Sequence, residues 1–216
     1  MLTVHHLGIS QSDRIVWLCE ELSVPYEMKK YDRLPSGMAP PDYKALHPAA
    51  TAPVITDGDL ALAESGAIIE YIIGRHGGVA LTVKPEARNY ADYLFWFHFA
   101  NASMLPRAMV TLILGMAGAN ADGPGADERL APMIARVDQA FDMVEARLGA
   151  VPYFAGADFT AADIMMTFTL TTMRMFMPRD LTPYPNILAY LQRIGDRPAY
   201  RRAMAKADPG MEPKLT

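Results

Sequence analysis

Apolar and polar residues change their spacing several times over the first seventy-odd positions, and each change predicts an element. Leu2 to His5 reads as a short strand, and Gly8-Ile9-Ser10-Gln11-Ser12-Asp13 as the turn out of it. From about Ser12 to Leu22 the spacing is helical: Ile15, Leu18, Cys19 and Leu22 lie at i, i+3, i+4 and i+7. Val24-Pro25 stops that helix, and Tyr26 to Tyr31 returns to strand. A βαβ order of this kind favours parallel pairing through a right-handed crossover. Leu34 to Pro41, rich in Pro and Gly, is loop, with a short helical piece over Asp42 to Leu46. Val54 to Thr56 and Leu60 to Leu62 are β-prone runs around the hairpin signal Asp57-Gly58-Asp59. The helix that opens on Glu64-Ser65-Gly66 carries Ile68, Ile69, Ile72 and Ile73 as an apolar stripe. βαβ followed by ββα is the element order of a thioredoxin-like fold.

After Gly74 the pattern turns wholly helical. Gly77-Gly78 breaks the run, and Lys84-Pro85-Glu86 predicts a helix start with Pro at the first helical position. Tyr90, Tyr93, Leu94, Trp96 and Phe97 give an aromatic helix that Pro106 should kink or end. Gly115 to Gly125 reads as a break, and a helix from about Asp127 is expected to close with Gly149 as its cap. Phe159-Thr160-Ala161-Ala162-Asp163-Ile164 has capping-box spacing, with Phe159 and Ile164 at staple positions. Tyr184-Pro185 and Arg197-Pro198 introduce two last short helices. The predicted organisation is an α/β domain over residues 1–78 and an all-helical domain over 85–216.

Composition narrows the function classes. With 216 residues, 51% hydrophobic and 20% charged, the chain has length for a sizeable core. A net charge of -4 leaves no electrostatic footprint for nucleic acid. A single cysteine excludes an internal disulfide framework and any CxxC redox or zinc site. The first strand begins at once, without a charged-then-apolar leader, and the apolar run Ala108 to Ala119 falls short of the ~20 residues of a spanning helix. Cytoplasmic location, and no membrane partner, are the expectations. His5 and His6 point to opposite faces of a strand and cannot share one ion, so no metal is expected.

The chemistry concentrates where the third helix begins. Free N–H groups and the positive end of the helix dipole suit a carboxylate. Ser65 adds a hydroxyl, and Glu64 an anion able to hold an ammonium beside that carboxylate. An α-amino acid end carries both groups on one carbon. Ala52-Pro53 before the hairpin and Glu64-Ser65 opening the helix resemble the glutathione-binding half of a cytosolic glutathione transferase, and Thr160-Ala161-Ala162-Asp163 resembles that family's helix-start motif in the C-terminal domain. The resemblance spans nearly the whole chain. It implies a thioredoxin-like N-terminal domain followed by an all-helical glutathione transferase C-terminal domain, with glutathione as co-substrate. It implies that Pro53 is cis, that the backbone of Ala52 pairs with the cysteinyl part of glutathione, and that Glu64 and Ser65 hold the γ-glutamyl end. It implies a homodimer as well.

A thiol with a reference pKa of about 8.5 is mostly un-ionised at neutral pH. Lowering that pKa by two units needs roughly 2.7 kcal/mol of thiolate stabilisation. One hydrogen bond to a charged group contributes about 1.5–3 kcal/mol, so a single donor suffices. In the family such a donor comes from the turn after the first strand, which here offers Ser10 and Ser12. Ser10 stands in the S-x-x-x-R place of serine-type relatives, counted from Arg14, and Ser12 is expected to cap the first helix. The turn has neither Tyr nor Cys. Such relatives often carry a basic or polar side chain shortly before Ala52 for glutathione's glycine carboxylate; here Ala49-Ala50-Thr51 stands instead. His47, Lys44 or Arg14 substitutes, or that end is held loosely. Cys19 and His98 are expected in the core, while Met104 and Arg107 are candidates for the pocket of a small apolar electrophile. The expected reaction is conjugation of glutathione's thiolate to that electrophile. A glutathione-dependent peroxidase and a non-catalytic ligand-binding or interaction module are the alternatives.

Overall fold

The computed structural model describes residues 1–77, 79–119 and 127–216. Two compact units emerge, one of Met1–Thr82 with Ile194–Pro213 and one of Val83–Arg193 with Lys214–Thr216.

In the first unit, β1 (Leu2–Leu7), α1 (Asp13–Leu22) and β2 (Glu27–Tyr31) form the expected βαβ. A single turn, α2 (Pro41–Lys44), precedes the hairpin of β3 (Val54–Asp57) and β4 (Leu60–Ala63), and α3 (Ser65–Ile72) follows. The sheet runs β2-β1-β3-β4, with β1 parallel to β2 and antiparallel to β3. Gly58, at φ +60°, makes the left-handed hairpin turn that a side chain resists. Ile15 and Leu18 of α1, Ile55 of β3 and Ile68, Ile69 and Ile72 of α3 are all fully buried, so the helical stripes and the strand alternation meet in one core. A second cluster joins Leu7, Tyr31, Tyr43, Val54 and Ala63. It explains why a helix as short as α2 persists: Tyr43 anchors it.

The last helix of the chain, α9 (Pro198–Ala207), belongs to this unit. Tyr200 meets the Trp17 ring of α1 edge-on at 4.8 Å. The Arg197 guanidinium donates to both Glu21 oxygens, at 2.7 and 2.8 Å.

The second unit contains α4 (Tyr90–Phe99), α5 (Leu105–Met116), α6 (Ala131–Ala150), α7 (Ala161–Leu170) and most of α8 (Pro185–Gly195). Several local expectations are corrected. The predicted helix start at Lys84-Pro85-Glu86 is turn, and α4 opens at Tyr90. Pro106 neither ends nor breaks the helical path: a π-helical stretch over Ala100–Met104 precedes it, and Pro106 sits in the first turn of α5 where its missing N–H does no harm. The run Tyr90–Met116 is therefore 27 residues long and contains an 18-residue window of mean hydropathy 1.2, long and apolar enough by length and composition to cross a bilayer, unlike the short run expected. Gly149 is not a cap. It lies inside α6, where an added Cβ would stand 2.9 Å from the Asn186 amide, so its need is close approach. His98 is exposed rather than in the core. Gly78 and residues 120–125 of the predicted Gly115 to Gly125 break lie outside the described residues.

The capping box of α7 forms as its spacing predicts. Thr160 caps the helix, and Asp163 Oδ2 accepts the Thr160 N–H at 2.8 Å. Asp163 Oδ1 also accepts the Phe154 N–H at 3.0 Å, tying the preceding loop to the same buried carboxyl.

Candidate functional site

The turn between β1 and α1 is held from several sides. Ile9 sits at φ 48°, a conformation that costs a β-branched residue on the order of 1–3 kcal/mol. Both of its backbone polar groups are secured: Asp208 Oδ2 accepts its N–H at 3.1 Å, and Arg33 Nη2 donates to its carbonyl at 2.9 Å. Arg33 also donates from Nε to the Gly8 carbonyl at 2.8 Å. The turn presents Ser10, Gln11 and Ser12 in this clamp.

The two serines behave differently from the expectation. Ser12 stands at the N-cap position of α1, but its side chain makes no cap bond. Its hydroxyl turns inward, where it accepts the Leu7 N–H at 3.1 Å and lies 2.9 Å from His6 Nδ1. Ser10 Oγ lies 2.7 Å from Ser12 Oγ and 2.6 Å from the Leu7 carbonyl. Ser12 and His6 have no exposed surface, whereas Ser10 retains 5%. Ser10 is thus the member of the pair that retains exposed surface.

The other predicted residues gather around the same end of the sheet. The Ala52-Pro53 bond is cis, immediately before β3, whose Val54 pairs with His5 of β1. Glu64 takes φ 74°, ψ 118°, an unusual backbone for a side-chain residue, and its side chain is exposed. That bend starts α3 at Ser65, which is 1% exposed and donates to Gln11 Oε1 at 3.4 Å. Ser65 and the serine turn are therefore joined through Gln11, a residue that no sequence motif singled out. His47 stays apart from this group: its Nδ1 accepts the nearby Ala49 N–H at 3.1 Å. Lys44 is exposed at the end of α2. Arg14 is enclosed, and burial holds its pKa down at about 10 against the favourable pull of Asp13. Cys19 is wholly buried, and burial, with Glu20 adding to it, pushes its thiol up to about 12.

In the second unit Met104 is fully enclosed, while Arg107 is half-buried with its guanidinium 5.9 Å from the Phe99 ring centre. Among the described residues no group of His, Cys, Asp or Glu could hold a metal ion.

His6, Asp208, Gln11 and Arg33 are the residues sequence reasoning missed. Strand alternation separates His6 from His5, but nothing in the local sequence joins it to an aspartate 202 positions later.

Fold and site together define a thioredoxin-like domain, with a cis-proline loop and a serine-opened helix, continued by an all-helical domain. Residues 10–74 match the family model described as glutathione S-transferase, N-terminal domain, and residues 127–193 that of the C-terminal domain. The chain is 33% identical to glutathione S-transferase 3 of Schizosaccharomyces pombe over 96% of this chain and 88% of that one. A solved glutathione S-transferase from Actinobacillus pleuropneumoniae superposes with a TM-score of 0.86, at 34% identity, covering 97% of this chain and 95% of that one. A theta class enzyme from Xanthomonas axonopodis pv. citri, solved with glutathione bound, gives 0.70 at 25% identity, covering 94% and 96%. This chain belongs to the glutathione S-transferase family and is an enzyme of that family.

Proposed function

We propose that the enzyme conjugates the thiolate of glutathione to a small apolar electrophile, with Ser10 as the hydroxyl at the sulfur. The observation that carries this is the convergence of Ser10, Ser65 and the cis Ala52-Pro53 loop within one unit, with Ser10 the surface-reaching member of the serine pair. The Ser65 N–H and hydroxyl at the start of α3 receive the γ-glutamyl carboxylate, and the exposed Glu64 carboxylate receives its ammonium. The Ala52 backbone pairs with the cysteinyl part. For the glycine carboxylate, the exposed Lys44 and half-buried His47 are the available groups; enclosed Arg14 is not.

For the electrophile we retain Arg107 at the pocket rim, with enclosed Met104 as packing behind it. Homodimer formation is part of the proposal. On α5, Met109, Ile113 and Met116 are exposed at i, i+4 and i+7, an apolar stripe suited to a second copy.

The test is retention on immobilised glutathione together with conjugation of a generic aryl halide. Wild type should do both. Ser10→Ala should still be retained, but its kcat/KM at neutral pH should fall roughly ten- to a hundredfold, matching one to two pKa units. That deficit should shrink at high pH, where the thiol ionises unaided. Retention without turnover in wild type would favour a binding module, and an unshifted Ser10→Ala profile would remove Ser10 from the sulfur.

A further inference from the structure

We propose that Ser10, Ser12, His6 and Asp208 form a proton wire that accepts the thiol proton of glutathione onto His6. This rests on the reading of Ser10 as the hydroxyl beside the sulfur. The links are continuous: Ser10 Oγ to Ser12 Oγ at 2.7 Å, Ser12 Oγ to His6 Nδ1 at 2.9 Å, and His6 Nε2 to Asp208 Oδ2 at 3.2 Å.

Counting protons and lone pairs gives the arrangement in which this wire carries a proton inward. Burial pushes the Asp208 carboxyl up, but His6, the Ile9 N–H and Lys30 outweigh it and leave it below the usual carboxylate range. An ionised carboxylate only accepts, so in neutral His6 the proton sits on Nε2 and Nδ1 is bare. Ser12 must then donate to Nδ1. Its two lone pairs take the Leu7 N–H and, in the conducting arrangement, the Ser10 O–H, for which the Leu7 carbonyl at 2.6 Å competes with Ser12 at 2.7 Å. Of the two Ser10 lone pairs, one takes the Ser12 N–H at 3.3 Å, and the other is the acceptor for an incoming S–H.

The transfer then balances without a further reactant. The S–H bond breaks with its electron pair left on sulfur, and the proton bonds to Ser10 Oγ. Ser10 passes its own proton to Ser12, Ser12 passes its proton to His6, and an Nδ1–H bond forms. Every hydrogen bond from His6 Nδ1 outward is reversed at the end: Nδ1–H donates to Ser12, Ser12 to Ser10, and Ser10 to the thiolate. One event therefore ionises the thiol and turns Ser10 into the donor that stabilises it. After conjugation, with the leaving group departing on its own electron pair, the proton returns through the serines to solvent.

The surroundings fit this assignment. The imidazolium so formed faces Asp208, which follows α9; Lys30 of β2 lies behind that carboxylate, 3.2 Å from Oδ1, and Arg33 is close enough to feel its charge. His5 points to the opposite sheet face, bonded to Tyr31 and Thr56. His6 and Ser12 have no exposed surface, so along the serines the wire opens at Ser10, while Asp208 at its other end is 6% exposed.

The experiment counts protons. Glutathione is added to weakly buffered wild-type enzyme near neutral pH, and the thiolate absorbance and the protons released to an indicator dye are read together. S-methylglutathione, which lacks the thiol proton, supplies the baseline for all other linked groups. The wire predicts thiolate with almost no matching proton release. One proton released per thiolate in wild type overturns it while leaving Ser10 beside the sulfur intact. Absence of any thiolate in the wild-type complex overturns the reading of Ser10 and the wire together. In His6→Gln, the remaining thiolate should release its proton to solvent, and the pH for its formation should rise by about one to two units. Asp208→Asn should move it in the same direction. If either folded variant titrates like wild type, His6 is not the acceptor.

Discussion

A buried hydroxyl with one long partner is ready to exchange that partner. Ser65 is such a group, 1% exposed and 3.4 Å from the Gln11 oxygen, at a helix start, where backbone N–H groups lack intrahelical partners. A carboxylate placed there would gain a charge-assisted bond of about 1.5–3 kcal/mol in place of a weak neutral one. Ser65→Ala should therefore raise the glutathione KM roughly ten- to a hundredfold with little change in kcat, since the bond is made in ground and transition state alike. Steady-state kinetics with glutathione varied would decide it, and a collapsed kcat at unchanged KM would contradict it. Cys19 makes the opposite case. Its thiol, at about 12 and without exposed surface, should resist alkylating reagents in the folded enzyme and react on unfolding. Stoichiometric labelling of native protein at mildly alkaline pH would refute that. At this scale the sequence was legible wherever a candidate residue rests on its near neighbours. Glu64 and Ser65 stand out because helix-start chemistry is local, and Ser10 through its S-x-x-x-R spacing from Arg14 in the resemblance to serine-type relatives. His6 and Asp208 do not, because the contact that gives them meaning closes a loop of nearly the whole chain. Ser12 shows the same limit: its position suits a cap, and only the buried imidazole explains why its hydroxyl turns away.

Elements inherit their limits from the same source. Period-2 and period-3.6 patterns predicted β1, α1, the hairpin and α3 within a few residues, because each buries one continuous face. Glycine and proline misled where tertiary packing reassigned them. Pro106 is absorbed by the π-helical stretch before it, and Gly149 serves the approach of Asn186 instead of ending α6. The α7 capping box was legible because its parts lie within four residues. Its carboxyl is fully buried, and burial outweighs the bonds from Phe154, Thr160 and Tyr190, raising Asp163 to about 6. A carboxyl raised on folding binds its proton more tightly in the folded state. Its contribution is therefore greatest below the ordinary carboxylate pKa and is lost as pH rises to about 6. Asp163→Asn should flatten that part of the Tm-against-pH curve. Asp163→Ala orphans two buried N–H groups and should cost about 2–4 kcal/mol, or roughly 5–15 °C in Tm, at an unchanged glutathione KM. A changed KM at constant Tm would mean the motif acts on the site.

The whole chain folds back on its beginning. Segment 194–213 joins the unit formed by residues 1–82, and it does so by more than one kind of contact. Tyr200 packs edge-on against Trp17, Arg197 forks onto Glu21, Arg202 and Lys206 reach Glu20, and Asp208 holds His6 and the Ile9 N–H. The Glu20 contacts are partly exposed and contribute little. The aromatic pair is enclosed, with Trp17 and Tyr200 at 1% and 2% exposure, so the packing of α9 on α1 rests mainly there. Truncating a large buried aromatic costs about 3–5 kcal/mol. Tyr200→Ala should therefore loosen the glutathione-binding unit from its far end and release Asp208 from the serine turn. Hydrogen exchange should report lost amide protection in α1 and β1, with that of α7 in the helical unit retained. Glutathione retention should weaken in parallel, even though Tyr200 is distant in sequence from every residue proposed to hold glutathione. Unchanged protection in α1, or an equal loss in α7, would show that α9 does not brace the glutathione-binding unit.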